Sequence, residues 1–297
     1  MYSVLVDGFH VSIGLRPIET WKPSTRTLYI VSVFVVLIGW LLPLIIISLA
    51  SFMTADQLNA GGRGFSMPSP FSVDGWRIAF QNDDFRGSFI NSFFIVLPVV
   101  AISVGLATMA GFALSKYRFR GQLIIFAIFI GGNFVPFQIL MVPVLRLTQD
   151  LGIYDTKWAL IFFHGAFQTG FCVFFMRNFI AQLPSELLEA ARVEGASEWK
   201  IFTRIVLPLV KPAIAALSVL IFTFVWNDFF WSLVLTPASP DGMLAPAGLS
   251  NIIRGRYYNA WNVMAAGSLL VALPPVIMFF LLQKQFIAGL TLGANKG

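Results

Sequence analysis

The chain has 297 residues, of which 57% are apolar and only 11% charged, and its formal net charge is +6. Globular proteins carry about 25% charged residues, so this composition excludes an ordinary soluble domain and predicts an integral membrane protein. A single cysteine excludes a disulfide framework within the chain. The sequence shows no fixed-period repeat, which predicts one membrane domain over residues 1–297.

Six apolar stretches are long enough, at about 20 residues each, to cross a hydrocarbon core as helices. Alternating segments of about 10 residues, which a membrane barrel would need, are not apparent. The predicted fold class is therefore all-α, a polytopic membrane protein with six transmembrane helices. In chain order, the predicted spans are 28–50, 89–114, 122–145, 158–180, 212–236 and 261–283.

The distribution of Lys and Arg predicts the orientation, because cytoplasmic flanks hold the excess of positive charge. With both termini in the cytoplasm, thirteen of the 20 basic residues lie on the inner side and seven on the outer side. Residues 1–27 and 284–297 then form cytoplasmic tails. Topology and contact with anionic membrane lipid account for the basic charge, so we predict no nucleic-acid partner.

The polar segment 182–211 lies between the fourth and fifth spans, on the predicted cytoplasmic side. Ser185 is predicted to cap a helix, and Gly195 to end it in the left-handed conformation. Ser197 predicts the start of a second helix that runs to about Val206. A first helix of about ten residues, roughly 15 Å long, is too short to span a bilayer. It suits a docking element for another protein, and an ordinary solvated loop is the alternative.

Motifs of enzymes are missing from the sequence. No G-x-x-x-x-G-K-[ST] phosphate loop occurs, so we do not expect the chain to hydrolyse ATP. The two histidines lie in different regions, and with one cysteine they predict no metal site. No nucleophile elbow frames a hydrolase triad. We predict that the chain is not an enzyme and that it holds neither a catalytic residue nor a cofactor of its own.

Polar residues in spans three to five fall between the midplane of the membrane and its outer side. Such groups are costly in hydrocarbon and usually face a bundle interior or a wet cavity. Amides with an acid suit a ligand with many hydroxyl groups, although hydrogen bonds between helices are the alternative. Gly131-Gly132 and Pro136 permit a kink or local unwinding nearby. The predicted solute-pathway residues are Asn133, His164, Gln168, Trp226, Asn227 and Asp228.

The polar segment between spans four and five resembles the EAA loop of the membrane subunits of ATP-driven, binding-protein-dependent importers. The matching residues are Glu189-Ala190-Ala191, Gly195, Ile205 and Leu207-Pro208. The passages LSKYRFRG after the second span, WNDF in the fifth and QFIAGLT near the end extend the resemblance. Together they are similar to the carbohydrate branch, in particular to the smaller permease subunit of maltose-type importers. Glu194 stands where that branch usually has aspartate.

The resemblance implies a type I ATP-binding-cassette (ABC) importer permease in a bacterial inner membrane. Such a chain passes a carbohydrate or related polyol from a binding protein to the cytoplasm by alternating access. The implied partners are a homologous second permease subunit, two ABC ATPase subunits that hold ATP and Mg, and an extracytoplasmic solute-binding protein. The resemblance assigns ATPase coupling to Glu189, Ala190, Ala191, Gly195, Leu207 and Pro208.

The external loop 237–260 corresponds, in the resemblance, to a contact with the binding protein. Arg and Tyr residues near the end of this loop are typical of protein interfaces, and they are equally typical of anchors at the membrane interface. The predicted contact residues are Arg254, Arg256, Tyr257 and Tyr258.

Two other function classes fit the six spans. An ion-coupled secondary transporter would use Asp228 as its proton or sodium site, would be blocked by uncouplers and would tolerate Gly195→Asp. A membrane scaffold would move no solute, whatever happens to ATP or to Asp228.

Overall fold

A computed structural model describes residues 2–6, 9–13, 18–60, 66–239, 242–254 and 260–294. These residues are helical apart from turns and a two-stranded antiparallel hairpin, β1 (Tyr2–Val6) and β2 (Phe9–Ile13). The predicted all-α membrane fold is confirmed, and the hairpin is an addition in the N-terminal tail. The α-helices are α1 Pro23–Ser51, α2 Ala55–Asn59, α3 Asp74–Gln81, α4 Asp83–Lys116, α5 Gln122–Gly131, α6 Met141–Asp150, α7 Lys157–Ala181, α8 Ser185–Val193, α9 Glu198–Ile201, α10 Leu207–Leu209, α11 Lys211–Trp226, α12 Phe230–Leu235, α13 Ala245–Arg254 and α14 Trp261–Ala294.

Four of these helices are each long and apolar enough to cross a membrane, namely α1, α4, α7 and α14 over Trp261–Gln285. Two bent pairs of helical segments also pass as spans, which gives six in the described residues if each pair counts as one. Gln122–Phe134 and Phe137–Asp150 meet at 94°, and Glu198–Leu209 and Lys211–Trp226 meet at 72°.

The prediction of a continuous third span over 122–145 is wrong, because the helix breaks in its middle. Val135 and Pro136 are extended, with ψ angles of 120° and 116°. Proline has no amide hydrogen to donate and disfavours the helical conformation in the residue before it. The kink that Pro136 permits is present, whereas Gly131 and Gly132 remain helical, and the chain after the break leads into α6, which extends to Asp150.

The fifth span also differs from the continuous helix predicted over 212–236. Helix α11 ends at Trp226, and α12 starts only at Phe230. At the other end of this span, α9 continues through a π-helical turn, Phe202–Val206, into α10. Such wide turns accommodate a local mismatch in the hydrogen-bond ladder. The last span, Trp261–Gln285, nearly matches the prediction, but its helix α14 continues through residues 284–294 of the predicted tail.

The centre of the bundle is the pair α4 and α7, against which α5, α11 and α13 pack. A Cβ atom at Gly111 of α4 would lie 2.8 Å from the backbone nitrogen of Arg177 in α7. The two helices therefore approach backbone to backbone, which small residues permit in membrane bundles. Cys172 of α7, the single cysteine, is fully buried in this core.

Candidate functional site

The polar segment between spans four and five forms a short helix, a corner and a second helix. Helix α8 begins at Ser185, which makes no capping hydrogen bond and follows Pro184, so the predicted cap is wrong. Gly195 has a φ angle of +79°, and Ala196 donates its amide to the carbonyl of Ala191 at 3.0 Å. The predicted left-handed corner at Gly195 is confirmed.

Ser197 begins the second helix of this segment, as predicted. Its Oγ accepts the amide hydrogen of Lys200 at 3.4 Å. The helix does not stop near Val206, because the π-helical turn carries it to Leu209. The predicted coupling residues Leu207 and Pro208 consequently lie in helical structure, half-buried and exposed respectively.

Helix α8 has a buried side and an exposed side. Leu188 and Ala191 are buried against the rest of the protein. Glu189, Ala190 and Gly195 are exposed. A Cβ atom at Gly195 would meet nothing within 4 Å. Of the six predicted coupling residues, Glu189, Ala190 and Gly195 are thus accessible in this part of the segment, and Ala191 faces inward.

Hydrogen bonds that the sequence analysis missed attach this segment to the end of α4. Lys116 donates from Nζ to the carbonyl of Leu183 at 2.6 Å. Tyr117 donates its hydroxyl hydrogen to the carboxylate of Glu198, which Arg192 also contacts, Nε to Oε1, at 2.7 Å. Burial raises the pKa of the Tyr117 hydroxyl, and the bond to Glu198 raises it further. The hydroxyl therefore remains a donor at neutral pH.

A cavity of about 600 Å³ lies at the bend of the third span, between α7 and α11. Three amides, Asn133, Gln138 and Gln168, line it together with aromatic side chains that include Phe134, Phe167 and Phe171. Gln168 is only 5% exposed, and its Nε2 has no hydrogen-bond partner among the described residues. A buried amide donor without a partner costs about 1–3 kcal/mol, so this atom favours an acceptor group in the cavity.

The two predicted asparagines satisfy carbonyl groups where helices break. Asn133 donates from Nδ2 to the carbonyl of Phe129 at 2.8 Å, and Asn227 does the same to Thr223 at 2.9 Å. The carbonyl of Thr223 also accepts the backbone amide hydrogen of Asn227 at 3.2 Å, so the Asn227 side chain adds a second donor at this helix end. Both side chains therefore stabilise a helix end, and only Asn133 also lines the cavity.

His164 and Asp228 are brought together inside the bundle. Nε2 of His164 lies 3.4 Å from Oδ2 of Asp228, and the two side chains are 1% and 10% exposed. Asp228 also accepts the amide hydrogens of Trp231, at 3.4 Å, and of Ser232, at 3.2 Å. Its carboxylate thus starts α12 and holds it next to α7. Among the described residues, no three His, Cys, Asp or Glu side chains are grouped as metal ligands would be.

Trp226 is placed away from the cavity. It is fully buried, donates from Nε1 to the carbonyl of Val271 in α14 at 2.9 Å and stacks on Phe222. Its ring is therefore closed to a solute in this conformation.

The external loop is fixed to the bundle at its proximal end. Ala245 and Leu244 donate their amide hydrogens to Ser92 Oγ, at 2.8 Å, and to Ser232 Oγ, at 2.9 Å. Arg254, the first predicted contact residue, ends α13. The other three predicted contacts, Arg256, Tyr257 and Tyr258, lie outside the described residues.

Comparison with known proteins agrees with this architecture. Residues 103–291 match the family described as the binding-protein-dependent transport system inner membrane component. The chain is 35% identical to the arabinooligosaccharides transport system permease protein AraQ of Halalkalibacterium halodurans, over 86% of this chain and 91% of that protein. It is 31% identical to the alpha-glucoside transport system permease protein AglG of Rhizobium meliloti, over 82% of this chain and 67% of that protein.

A solved structure shares the fold. The chain superposes on one from a bacterial ABC transporter involved in the import of the acidic polysaccharide alginate, with a TM-score of 0.74 and 23% identity, over 90% of this chain and 99% of that one. The matched family region runs from the middle of α4 through the segment 182–211 into α14. The chain therefore belongs to the family of binding-protein-dependent transport system inner membrane components, which makes it a transport permease and not an enzyme.

Proposed function

We propose that this permease imports a carbohydrate or related polyol by alternating access, driven by ATP that partner subunits hydrolyse. Its partners are a homologous second permease, two ABC ATPase subunits that bind ATP and Mg, and an extracytoplasmic solute-binding protein. It lies in a bacterial inner membrane, with both termini, residues 1–27 and the chain end after 284, in the cytoplasm. The cytoplasmic segment 182–211 couples it to the ATPase, and the external loop 237–260 receives the binding protein.

The observation that carries this proposal is the surface of α8. A nine-residue helix with a buried inner side leaves Glu189, Ala190 and Gly195 exposed, and a glycine corner follows it directly. Small residues on an exposed helix let a partner approach closely, and charged residues beside them fix its position. A solvated loop would not need this pattern of one buried and one exposed side.

The substrate class is supported by the relatives and by the cavity. AraQ and AglG are described as permeases for arabinooligosaccharides and alpha-glucosides. A third relative, 30% identical over 95% of both chains, is the osmoprotective compounds uptake permease protein GgtD of Synechocystis. The amides of Asn133, Gln138 and Gln168 offer neutral donors and acceptors that suit hydroxyl groups. We place the solute pathway at this cavity, with His164 and Asp228 holding the adjacent α12.

The proposal is tested by purifying the tagged chain from its native membrane and identifying the proteins that accompany it. Wild type is expected to bring an ATPase with a phosphate-loop motif, and Gly195→Asp to lose at least nine-tenths of it. An aspartate at Gly195 adds bulk and charge to the exposed corner at a φ of +79°, where side chains are disfavoured.

Gly152→Asp is the matched control. Gly152 also has a positive φ, +67°, and open space around its Cβ position, but it lies in the turn between α6 and α7, outside the coupling segment. It should keep the ATPase. A wild-type chain that purifies alone, or a loss of the ATPase that is equal in both variants, would contradict the proposed coupling role.

A further inference from the structure

The end of α4 holds both sides of the coupling helix α8. Before α8, Nζ of Lys116 donates to the carbonyl of Leu183 at 2.6 Å. After α8, the hydroxyl of Tyr117 donates to the carboxylate of Glu198, in the first turn of α9. Lys116 and Tyr117, two consecutive residues at the end of α4, therefore contact the chain just before and just after α8.

Arg192, in the last turn of α8, completes this arrangement. Its guanidinium donates to both carboxylate oxygens of Glu198, at 2.7 and 3.3 Å, and lies 5.8 Å from the centre of the Tyr117 ring. A two-point contact of this kind fixes orientation as well as distance. The three side chains join α4, α8 and α9, and we name them the Tyr117–Arg192–Glu198 junction.

Aromatic rings support the junction from the membrane side. The ring centre of Phe112 in α4 lies 5.4 Å from the ring centre of Tyr117 and 5.4 Å from that of Phe202. Displacement of α9 would therefore push directly on α4, since close-packed side chains have little space to yield.

Helix α4 reaches from this junction to the outer side. Its 34 residues make it about 50 Å long. Near its other end, Ser92 accepts the amide hydrogen of Ala245 at the start of α13. A Cβ atom at Gly248 of α13 would lie 2.2 Å from Ser88 Oγ. One continuous helix thus contacts both the coupling segment and the external loop.

We infer that the Tyr117–Arg192–Glu198 junction transmits movement of the coupling helix to α4, and through α4 to the external loop. The inference rests on the proposed function, because it takes α8 to be the element that moves with the ATPase. The three residues are positioning residues, since they touch neither ATP nor solute. The Arg192 and Glu198 side chains are 35% and 46% exposed, and such exposed pairs add little to stability. The chain should therefore fold without the pair.

The test uses the complete importer in lipid nanodiscs, with ATP hydrolysis measured with and without its purified external binding protein. The quantity compared is the stimulation, which is the ratio of the two rates. We expect Arg192→Glu to keep the ATPase subunits bound but to lower the stimulation at least fivefold. The double variant Arg192→Glu/Glu198→Arg should restore at least half of it, because the opposite charges face each other again. Tyr117→Phe, which loses only the hydroxyl, should give an intermediate stimulation.

Arg86→Glu is the matched control, because Arg86 forms an exposed pair with Asp83 at the same 2.7 Å distance, at the outer end of α4. It should leave the stimulation unchanged. Full stimulation in Arg192→Glu would overturn the inference while the proposed function stands. The inference would also be overturned if Arg192→Glu lost the ATPase subunits and the double variant did not bring them back. That result would indicate a docking contact and not transmission of movement. A wild-type complex without an ATPase would overturn the proposed function itself.

Discussion

Asp228 shows how the environment of one residue decides between two roles. An isolated carboxylate in a membrane span suggests an ion site, which is the basis of the secondary-transporter alternative. In the structure, both carboxylate oxygens accept backbone amides of α12, and one also faces His164. A carboxylate at the start of a helix satisfies amides that have no partner within it. The contacts around Asp228 thus favour a structural role.

Replacement of Asp228 tests this role. Asp228→Ala leaves the amides of Trp231 and Ser232 without their acceptor, so we expect a loss of about 1–3 kcal/mol in stability. Asp228→Asn keeps an acceptor oxygen and should recover most of the loss. Thermal unfolding of the purified chain in detergent measures both, with the exposed Asp150→Ala as control. Equal stability of Asp228→Ala and wild type would show that the carboxylate is not holding α12.

Local residue patterns made part of the site predictable. The positive φ at Gly195 follows from a glycine directly after an amphipathic helix, and the break of the third span follows from Pro136. The partner of Asp228 could not be read in the same way. It depends on how α7 and the fifth span rotate about their axes, which hydropathy does not encode. Likewise, Tyr117 and Glu198 are 81 positions apart, and no local pattern joins them.

At the scale of elements, α12 is held by a carboxylate at each end. Asp228 is at its start, and Asp155, from the turn before α7, is beyond its end. Oδ1 of Asp155 accepts the amides of Ala238 and Ser239 at 3.1 and 3.0 Å, and the residue has a φ of +59°. Aspartate tolerates this left-handed conformation better than most residues do. The six residues of α12 thus keep their position although the span is interrupted before them.

Asp155→Ala removes the acceptor and disfavours the positive φ, so the segment after α12 should open more often. We expect hydrogen exchange of the amides of Thr236, Ala238 and Ser239 to accelerate about tenfold, which corresponds to roughly 1.4 kcal/mol of opening free energy. Asp155→Asn keeps an acceptor oxygen, and asparagine also tolerates a positive φ. The amides after α12 should therefore exchange nearly as slowly in this variant as in the wild type. Exchange measured by mass spectrometry gives the comparison. An unchanged rate in Asp155→Ala would mean that other contacts hold this segment.

At the scale of the whole molecule, the membrane spans are of two kinds, interrupted spans and continuous helices. The third span bends beside the cavity and the fifth is interrupted away from it, whereas α4 and α7 are continuous helices packed backbone to backbone. Irregular backbone is tolerated in membranes where it lines a cavity. Six spans could be predicted from apolar length, and glycine and proline permitted a kink in the third, but the 72° bend before α11 was not predicted.

Gln168→Leu tests the cavity as the solute pathway. The change keeps the volume but removes the buried donor, so uptake should fall about tenfold or more if a solute acceptor uses it. Arabinooligosaccharides and alpha-glucosides are the solutes to compare, because the relatives AraQ and AglG are described as permeases for them. Gln149→Leu, an exposed position outside the cavity, is the control. Unchanged uptake in Gln168→Leu, with the ATPase still bound, would place the pathway elsewhere.

The most direct measurement of the whole account is uptake by the complete importer in proteoliposomes, with ATP enclosed or omitted and a protonophore present or absent. The external binding protein and the transported oligosaccharide are supplied outside. We predict uptake that requires ATP and the binding protein and continues when the proton gradient is collapsed. Uptake that persists without ATP and stops with the protonophore would contradict the account and return Asp228 to the role of an ion site.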